Sequence, residues 1–295
     1  MKMNVQLHPV VYLGMPISSK ISEIESSSAT HVGLVRDENQ DAVRLCDAAI
    51  EPVSTKGYLY GIADGMGGYS HGSVASTLAL TAFFETFYQS DEKTIAAKLR
   101  QGIRIANLEV LQKASQIGAV RMGTTLTVAH ILGNRMTLAH VGDSRAYLIR
   151  KRKAICLTND HSKVGELVRM KLIAPEKLRT HYQRSVITRS IGFDLFVQPD
   201  LETVTVQTGD TIILCTDGVW CMIEDDELGG MSQAEQGTST LANRIMEQAL
   251  ARHSDDNVSV VVIKIHNVVN EPETEVRSRW NFLKFLRREK RIETA

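Results

Sequence analysis

Five aspartates stand where strand-like runs of this chain begin or end. Asp64 closes YLYGIADG and Asp217 closes TIILCTDG, each a carboxylate set just before a glycine. Asp143 ends the run LAHVGD, Asp256 precedes Asn257 at the mouth of NVSVVVIKIH, and Asp41 follows RDENQ. A single Asp-Gly pair is usually a turn. Five such acids, with neither Cys nor His in the same turns, describe an all-oxygen ligand set. Hard divalent cations such as Mg²⁺ and Mn²⁺ suit such ligands, whereas Zn²⁺ favours imidazole or thiolate. Clustered carboxylates repel one another unless cations lie between them. The glycines beside Asp64 and Asp217 let a ligand approach the backbone.

Eight short segments carry a resemblance. RDENQD (36–41), ADGMGG (63–68), MGTT (122–125), HVGDSR (140–145), NDHS (159–162), TRSIG (188–192), LCTDGV (214–219) and DDNVSV (255–260) follow one another in a familiar order. Their order and spacing resemble those of the metal-dependent Ser/Thr protein phosphatases of the PP2C type, bacterial branch, from about His31 to about His266. The resemblance implies roles for single positions. Asp64 would bridge two Mn²⁺ or Mg²⁺ ions, and the Gly65 carbonyl would bind the second. Asp217 and Asp256 would complete the first ion's shell, and Asp143 with Asp217 would hold a third, weaker ion. Asp41 would belong to the metal centre through metal-bound water, and Arg36 would grip the substrate phosphate, for which a permanently charged bidentate guanidinium is suited. Two such cations about 4 Å apart could hold a shared water for in-line attack on phosphorus, and no covalent phospho-enzyme would then be needed.

The loop GIADGMGGYSHG (61–72) adds one more candidate. Eukaryotic members of the family place a histidine directly after Asp-Gly, where this chain has Met66. Many bacterial members place one after DGMGG, where it has Tyr69. His71, two residues further on, is the candidate general acid for an alkoxide leaving group. His140, on an apolar run, reads as a core histidine instead. A cysteine phosphatase would need C-x₅-R, and no cysteine here has Arg six residues on. The P-loop is excluded because the chain contains no Gly-Lys pair. The remaining alternative is a catalytically weak phosphoprotein-binding module of the same fold, against which the intact aspartate set argues.

The elements that must position these residues follow from hydrophobic patterning. YLYGIA (58–63) reads as a buried strand ending at Asp64-Gly65; 72–90, 93–117 and 238–253 have helical spacing. TTLTVAHIL and RMTLAHVG flank a Gly133-Asn134 hairpin turn. VTVQTGDTIILCT (204–216) reads as a second hairpin about Thr208-Gly209-Asp210, and NVSVVVIKIH (257–266) as a last strand. Strands and helices come in blocks, which predicts an α+β fold. The family resemblance sharpens this to a four-layer α-β-β-α sandwich of two antiparallel sheets flanked by helices, with residues 163–187 as a flap beside the site. The Ser-rich stretch before Thr30 assigns 1–29 to a leader or linker, 30–268 to the phosphatase domain and 269–295 to a basic amphipathic tail.

With 43% apolar residues among 295 the chain can bury a large core, and 5% aromatics with zero net charge argue against nucleic acid. The zero hides seven Lys/Arg against one acid in 277–291, a tail with a possible membrane-surface role. Four cysteines without a C-x-x-C pair, and no apolar run long enough for a membrane span, lead to the expectation of a cytoplasmic monomer. Phosphorylated proteins would be its substrates and a Ser/Thr protein kinase its counterpart.

Overall fold

The computed structural model describes residues 22–49, 51–66 and 71–268. In chain order these form β1 (Glu23–His31), β2 (Asp41–Arg44), α1 (Val53–Lys56), β3 (Tyr58–Met66), α2 (His71–Gln89) and α3 (Ile95–Ile117). Next come β4 (Gly123–Thr124), β5 (Leu126–Leu132), β6 (Arg135–Val141), β7 (Arg145–Arg150) and β8 (Lys153–Cys156). After α4 (Lys163–Arg169) and α5 (Lys177–Thr180) follow β9 (Asp200–Thr205) and β10 (Thr211–Cys215). The elements α6 (Asp217–Trp220), α7 (Asp225–Ala234), α8 (Thr238–Ala251) and β11 (Val258–Asn267) close the fold. Residues 1–21 of the leader, Ile50, the loop 67–70 and the basic tail 269–295 lie outside the described residues.

Strand alternation builds the layers. On β3, Tyr60 and Ile62 point between the sheets, while Leu59 and Ala63 point to α2 and α3. On β11, Val261, Ile263 and Ile265 share that central layer, whereas Val258, Val260 and Val262 face α6, α7 and α8. One sheet runs β1-β11-β10-β7-β8 and the other β2-β3-β5-β6-β9, with β4 added to β3. Every named strand pair is antiparallel. Helices thus cover both outer faces, giving the four layers that the family resemblance implies.

The structure corrects three expectations. The Ser-rich stretch taken as linker is β1, paired along its length with β11. Its hydroxyls are satisfied rather than solvated: Ser27 meets Thr238 at 2.8 Å and Thr30 meets Ser259 at 2.7 Å. A polar strand can be buried when its hydroxyls find partners. The Thr208-Gly209-Asp210 turn does not close a hairpin, because β9 pairs with β6 and β10 pairs with β7 and β11. Val206 and Ile212 both enter the layer between the sheets, so the turn hands the chain across the sandwich. Arg150 holds that turn through Asp210, at 2.8 and 2.7 Å. Finally, β3 runs on to Met66 and does not stop at Asp64-Gly65, because β4 pairs with Gly65 and Met66. The Gly133-Asn134 hairpin forms as read, with Leu132 opposite Arg135.

Candidate metal centre and active site

Antiparallel pairing brings the aspartates to one end of the sandwich. Asp41, the first residue of β2, lies opposite Asp64 near the end of β3. The end of β6 is two residues from Asp143, and β7 starts two residues after it in the opposite sheet. Cys215 at the end of β10 pairs with Val260 near the start of β11, so Asp217 and Asp256 emerge side by side. Asp217 opens α6 rather than a free turn.

Each carboxylate is set by neighbours. The Asp64 N–H donates to the Thr125 hydroxyl at 2.8 Å, while the Asp64 carbonyl accepts from Thr124 Oγ1 at 2.8 Å and Thr125 N at 2.9 Å. Thr125 Oγ1 meets Ser144 Oγ at 2.8 Å, joining the Asp64 and Asp143 turns. Asp41 Oδ2 accepts from Thr216 Oγ1 at 2.9 Å. Trp220 Nε1 donates to the Asp143 carbonyl at 3.0 Å. Asn257 accepts from Gln40 N–H at 2.8 Å and donates to the carbonyls of Val32 and Glu38, which ties the Arg36-bearing loop to the mouth of β11.

The electrostatics show how closely these groups crowd. Burial, reinforced by the charges of Asp217 and Asp256, pushes the Asp41 carboxyl up to about 7 despite its hydroxyl donors. Burial and the neighbouring Asp256 raise Asp217 to about 7 as well. Asp64 is pushed well above the carboxylate range by burial, then by Asp41, Asp217, Asp143 and Asp256. Asp143 is raised likewise by burial and then by Asp217.

The donor set fits divalent cations. One oxygen each of Asp41, Asp143 and Asp217 is sealed from solvent without a hydrogen-bond partner in the described structure. Buried carboxylate oxygens are seldom left so, and positive charge is what they lack. Gly65 belongs to the same centre. A Cβ there would come within 2.2 Å of the Gly72 carbonyl and 2.5 Å of the Gln40 carbonyl, so only glycine lets these backbones meet. The carboxylates ring the position without closing on it. Among the described residues, no three His, Cys, Asp or Glu side chains already converge as a ligand cage.

The structure brings the other candidates to the rim. Arg36, half-exposed, holds Asp256 Oδ2 at 2.7 Å and donates to the Asp255 carbonyl at 3.3 Å. His71 opens α2, next to Gly72, whose position for a Cβ lies 2.8 Å from the Gly65 carbonyl. His140 is a satisfied core residue, bonded to Thr127 Oγ1 at 2.9 Å and the Asn159 carbonyl at 3.1 Å. Sequence reasoning missed Arg184, which reaches from the 163–187 segment to Asp255 at 3.0 Å. It also missed Thr125, Thr216 and Asn257. Hydroxyl and amide supports of this kind leave no sequence signal, since their partners are 61 to 225 residues away.

A sandwich rim holding five crowded carboxylates beside an exposed arginine defines a metal-dependent phosphoester hydrolase. Comparisons with known proteins agree. The family described as Protein phosphatase 2C matches residues 26–258. The serine/threonine phosphatase Stp of Listeria monocytogenes is 34% identical over 208 residues, 69% of this chain and 82% of that protein. The structure of the serine/threonine phosphatase Stp1 from Staphylococcus aureus superposes with a TM-score of 0.77 at 30% identity, covering 86% of this chain and 99% of that one. The catalytic domain of the phosphatase PstP, solved in complex with two manganese ions, gives 0.71 at 31% identity, covering 84% and 99%. The chain belongs to the protein phosphatase 2C family and is a serine/threonine protein phosphatase that depends on metal.

Proposed function

We propose that this chain hydrolyses phosphoserine and phosphothreonine in proteins through two core Mn²⁺ or Mg²⁺ ions and a third, weaker one. The observation that carries this reading is the set of partnerless buried oxygens on Asp41, Asp143 and Asp217, gathered round Asp64. Asp64, Asp217, Asp256 and the Gly65 carbonyl would hold the core ions, and Asp143 with Asp217 the third. When bound, such ions supply Lewis-acid charge at the phosphoryl oxygens and lower the pKa of water. The protein's own residues do the rest.

Arg36 takes the phosphate. In this structure its guanidinium neutralises Asp256. An Asp256 carboxylate committed as a ligand holds Arg36 less firmly, which leaves the fork to pair with two phosphate oxygens. Asp41, set by Thr216, orients water by hydrogen bonding. His71, in the first turn of α2, delivers a proton to the departing serine or threonine oxygen. The Ser/Thr phosphatases it resembles support phosphorylated proteins as substrates; a Ser/Thr kinase as counterpart and a monomeric state are part of the same proposal. Among the described residues, no helix is long and apolar enough to cross a membrane. Membrane contact through the tail therefore rests on the sequence of 277–291 alone.

The test is metal removal and return. Hydrolysis of p-nitrophenyl phosphate and of a phosphothreonine peptide should vanish in excess chelator and reappear with Mn²⁺. Undiminished turnover in EDTA would overturn the reading.

A further inference from the structure

Large apolar side chains exposed to water are ordinary when scattered, but a group of them held at the mouth of a cleft is not. After the buried Ile191, the chain leaves the core at Gly192 and returns with Val197, which packs against the helical face. Between these points Phe193, Leu195 and Phe196 are 45%, 63% and 85% exposed.

This loop is fixed in place. Asn107, a buried residue of α3, accepts from the Gly192 N–H at 2.7 Å and donates to the carbonyls of Asp194 and Leu195 at 2.8 and 3.3 Å. Ile191 exchanges both backbone hydrogen bonds with Thr124, at 2.9 and 3.0 Å. Three apolar side chains are thus presented on a backbone secured from both sides. Ordering them at binding costs less than ordering a mobile loop.

The loop also borders the active site. Thr124 lies opposite Gly65 and Gly123 opposite Met66 in the β3–β4 pair. The Phe193 ring lies against Gly123, its edge 3.1 and 3.3 Å from where a Cβ would stand. Any side chain at residue 123 would push that ring away. One strand spacing and one side-chain contact therefore separate Phe193 from Gly65, about 10 Å in all. An extended peptide covers that distance in about three residues.

We propose that the 193–196 loop is a substrate-specificity platform. On it, an extended phosphoprotein segment lays a bulky apolar side chain about three residues from its phosphothreonine. This rests on the phosphatase reading of the cleft. The platform adjoins that cleft through β4, where Phe193 rests on Gly123, so an extended peptide with its phosphate at Asp64 can reach the loop. A small aryl phosphate does not reach that far.

The experiment compares wild type with Leu195→Ser and Phe196→Ser, singly and together, in the full-length chain with Mn²⁺. The probes are p-nitrophenyl phosphate and three phosphothreonine peptides, with Leu three residues before, three residues after, or Ser at both places. Wild type should favour at least one Leu peptide by tenfold or more in kcat/KM, mainly through KM, the order expected for burying one leucine. The double variant should lose that preference and keep its p-nitrophenyl phosphate turnover. Equal use of all three peptides by wild type, or an undiminished preference in the double variant, refutes the proposal. So does a double variant that differs only in sedimenting as a monomer where wild type sediments as a dimer, since the patch is then a self-interface. If the double variant fails to fold, Phe196→Ser alone, at the most exposed of the three positions, replaces it with the same expected loss of preference. Metal-dependent turnover of p-nitrophenyl phosphate without any peptide preference sinks this inference alone. Turnover that survives chelator sinks the underlying reading instead.

Discussion

Asp64 couples the chemistry to the stability of the protein. Its carboxyl is raised well above the usual range, and Asp41 and Asp217 are raised to about 7. In the unfolded chain they titrate near 4. The folded, metal-free protein therefore holds protons that the unfolded chain has lost, and stability declines as pH rises through about 7. His130 and His140, which burial pushes down to about 4 and 3, act oppositely, but only below about pH 6.5. Above that pH the carboxylates dominate. In chelator, Tm should fall from pH 6.5 to 8.5, and Mn²⁺ should reverse the fall. Asp64→Asn should abolish turnover and weaken Mn²⁺ binding in calorimetry, yet melt higher than wild type in chelator at pH 8. The rise should be about 2–4 °C per kcal/mol of relieved repulsion. A lower Tm for that variant would mean the crowding is not felt. His71 makes a separate claim. His71→Ala should slow phosphothreonine-peptide hydrolysis tenfold or more and barely touch p-nitrophenyl phosphate, whose phenolate leaves unprotonated. Equal, small losses on both substrates would make it a bystander.

At the scale of elements, the 163–187 segment buries little apolar surface beyond Val164. The short helix α5 has no buried residue. Arg179 secures it, donating to the Trp220 carbonyl at 2.9 Å and the Ile223 carbonyl at 3.0 Å, and pairing with Asp225 at 3.1 Å. Those acceptors begin at the end of α6, the helix that Asp217 opens, so the segment is docked beside the aspartate cluster. Its base, where both ends of the segment meet the core, is fixed more firmly. The buried His161 accepts from Gly142 N–H at 3.1 Å, and its carbonyl accepts from Thr188 N–H at 2.7 Å. Elements with so little buried surface open locally at small cost. Arg179→Ala should accelerate chymotryptic cleavage between Leu172 and Tyr182 severalfold while Tm stays within about 2 °C, because no core contact is lost. Unchanged cleavage kinetics would show that other contacts hold the segment.

For the whole molecule, three apolar layers suffice to explain a cooperative domain. The central layer joins the sheets, and each outer layer joins one sheet to its helices. Among the described residues, which end at Val268, these layers already join both sheets to their helices. Deleting residues 271–295 should therefore leave both Tm and p-nitrophenyl phosphate turnover nearly unchanged. A chain that aggregates on losing them would place part of that basic segment in the fold.

Chain order was enough to pick out the five aspartates that the fold gathers at one rim, because a carboxylate at the end of an apolar run stands out locally. It was also enough for the helices α2, α3 and α8 and for the β5–β6 hairpin, whose signals are local. It misled where a residue's partner is remote. The serines of β1 look solvated until Thr238 and Ser259 arrive to bond them, and the turn at Gly209 looks like a hairpin until the two sheets claim its arms. The supports of the site were invisible for the same reason: Thr216 reaches Asp41, and Asn257 fastens the Arg36 loop, across most of the chain. Tertiary structure alone set Arg184 on Asp255 and held Phe193 against Gly123. Hydrogen bonds and close contacts between distant segments depend on how the sheets stack, and local sequence does not encode that.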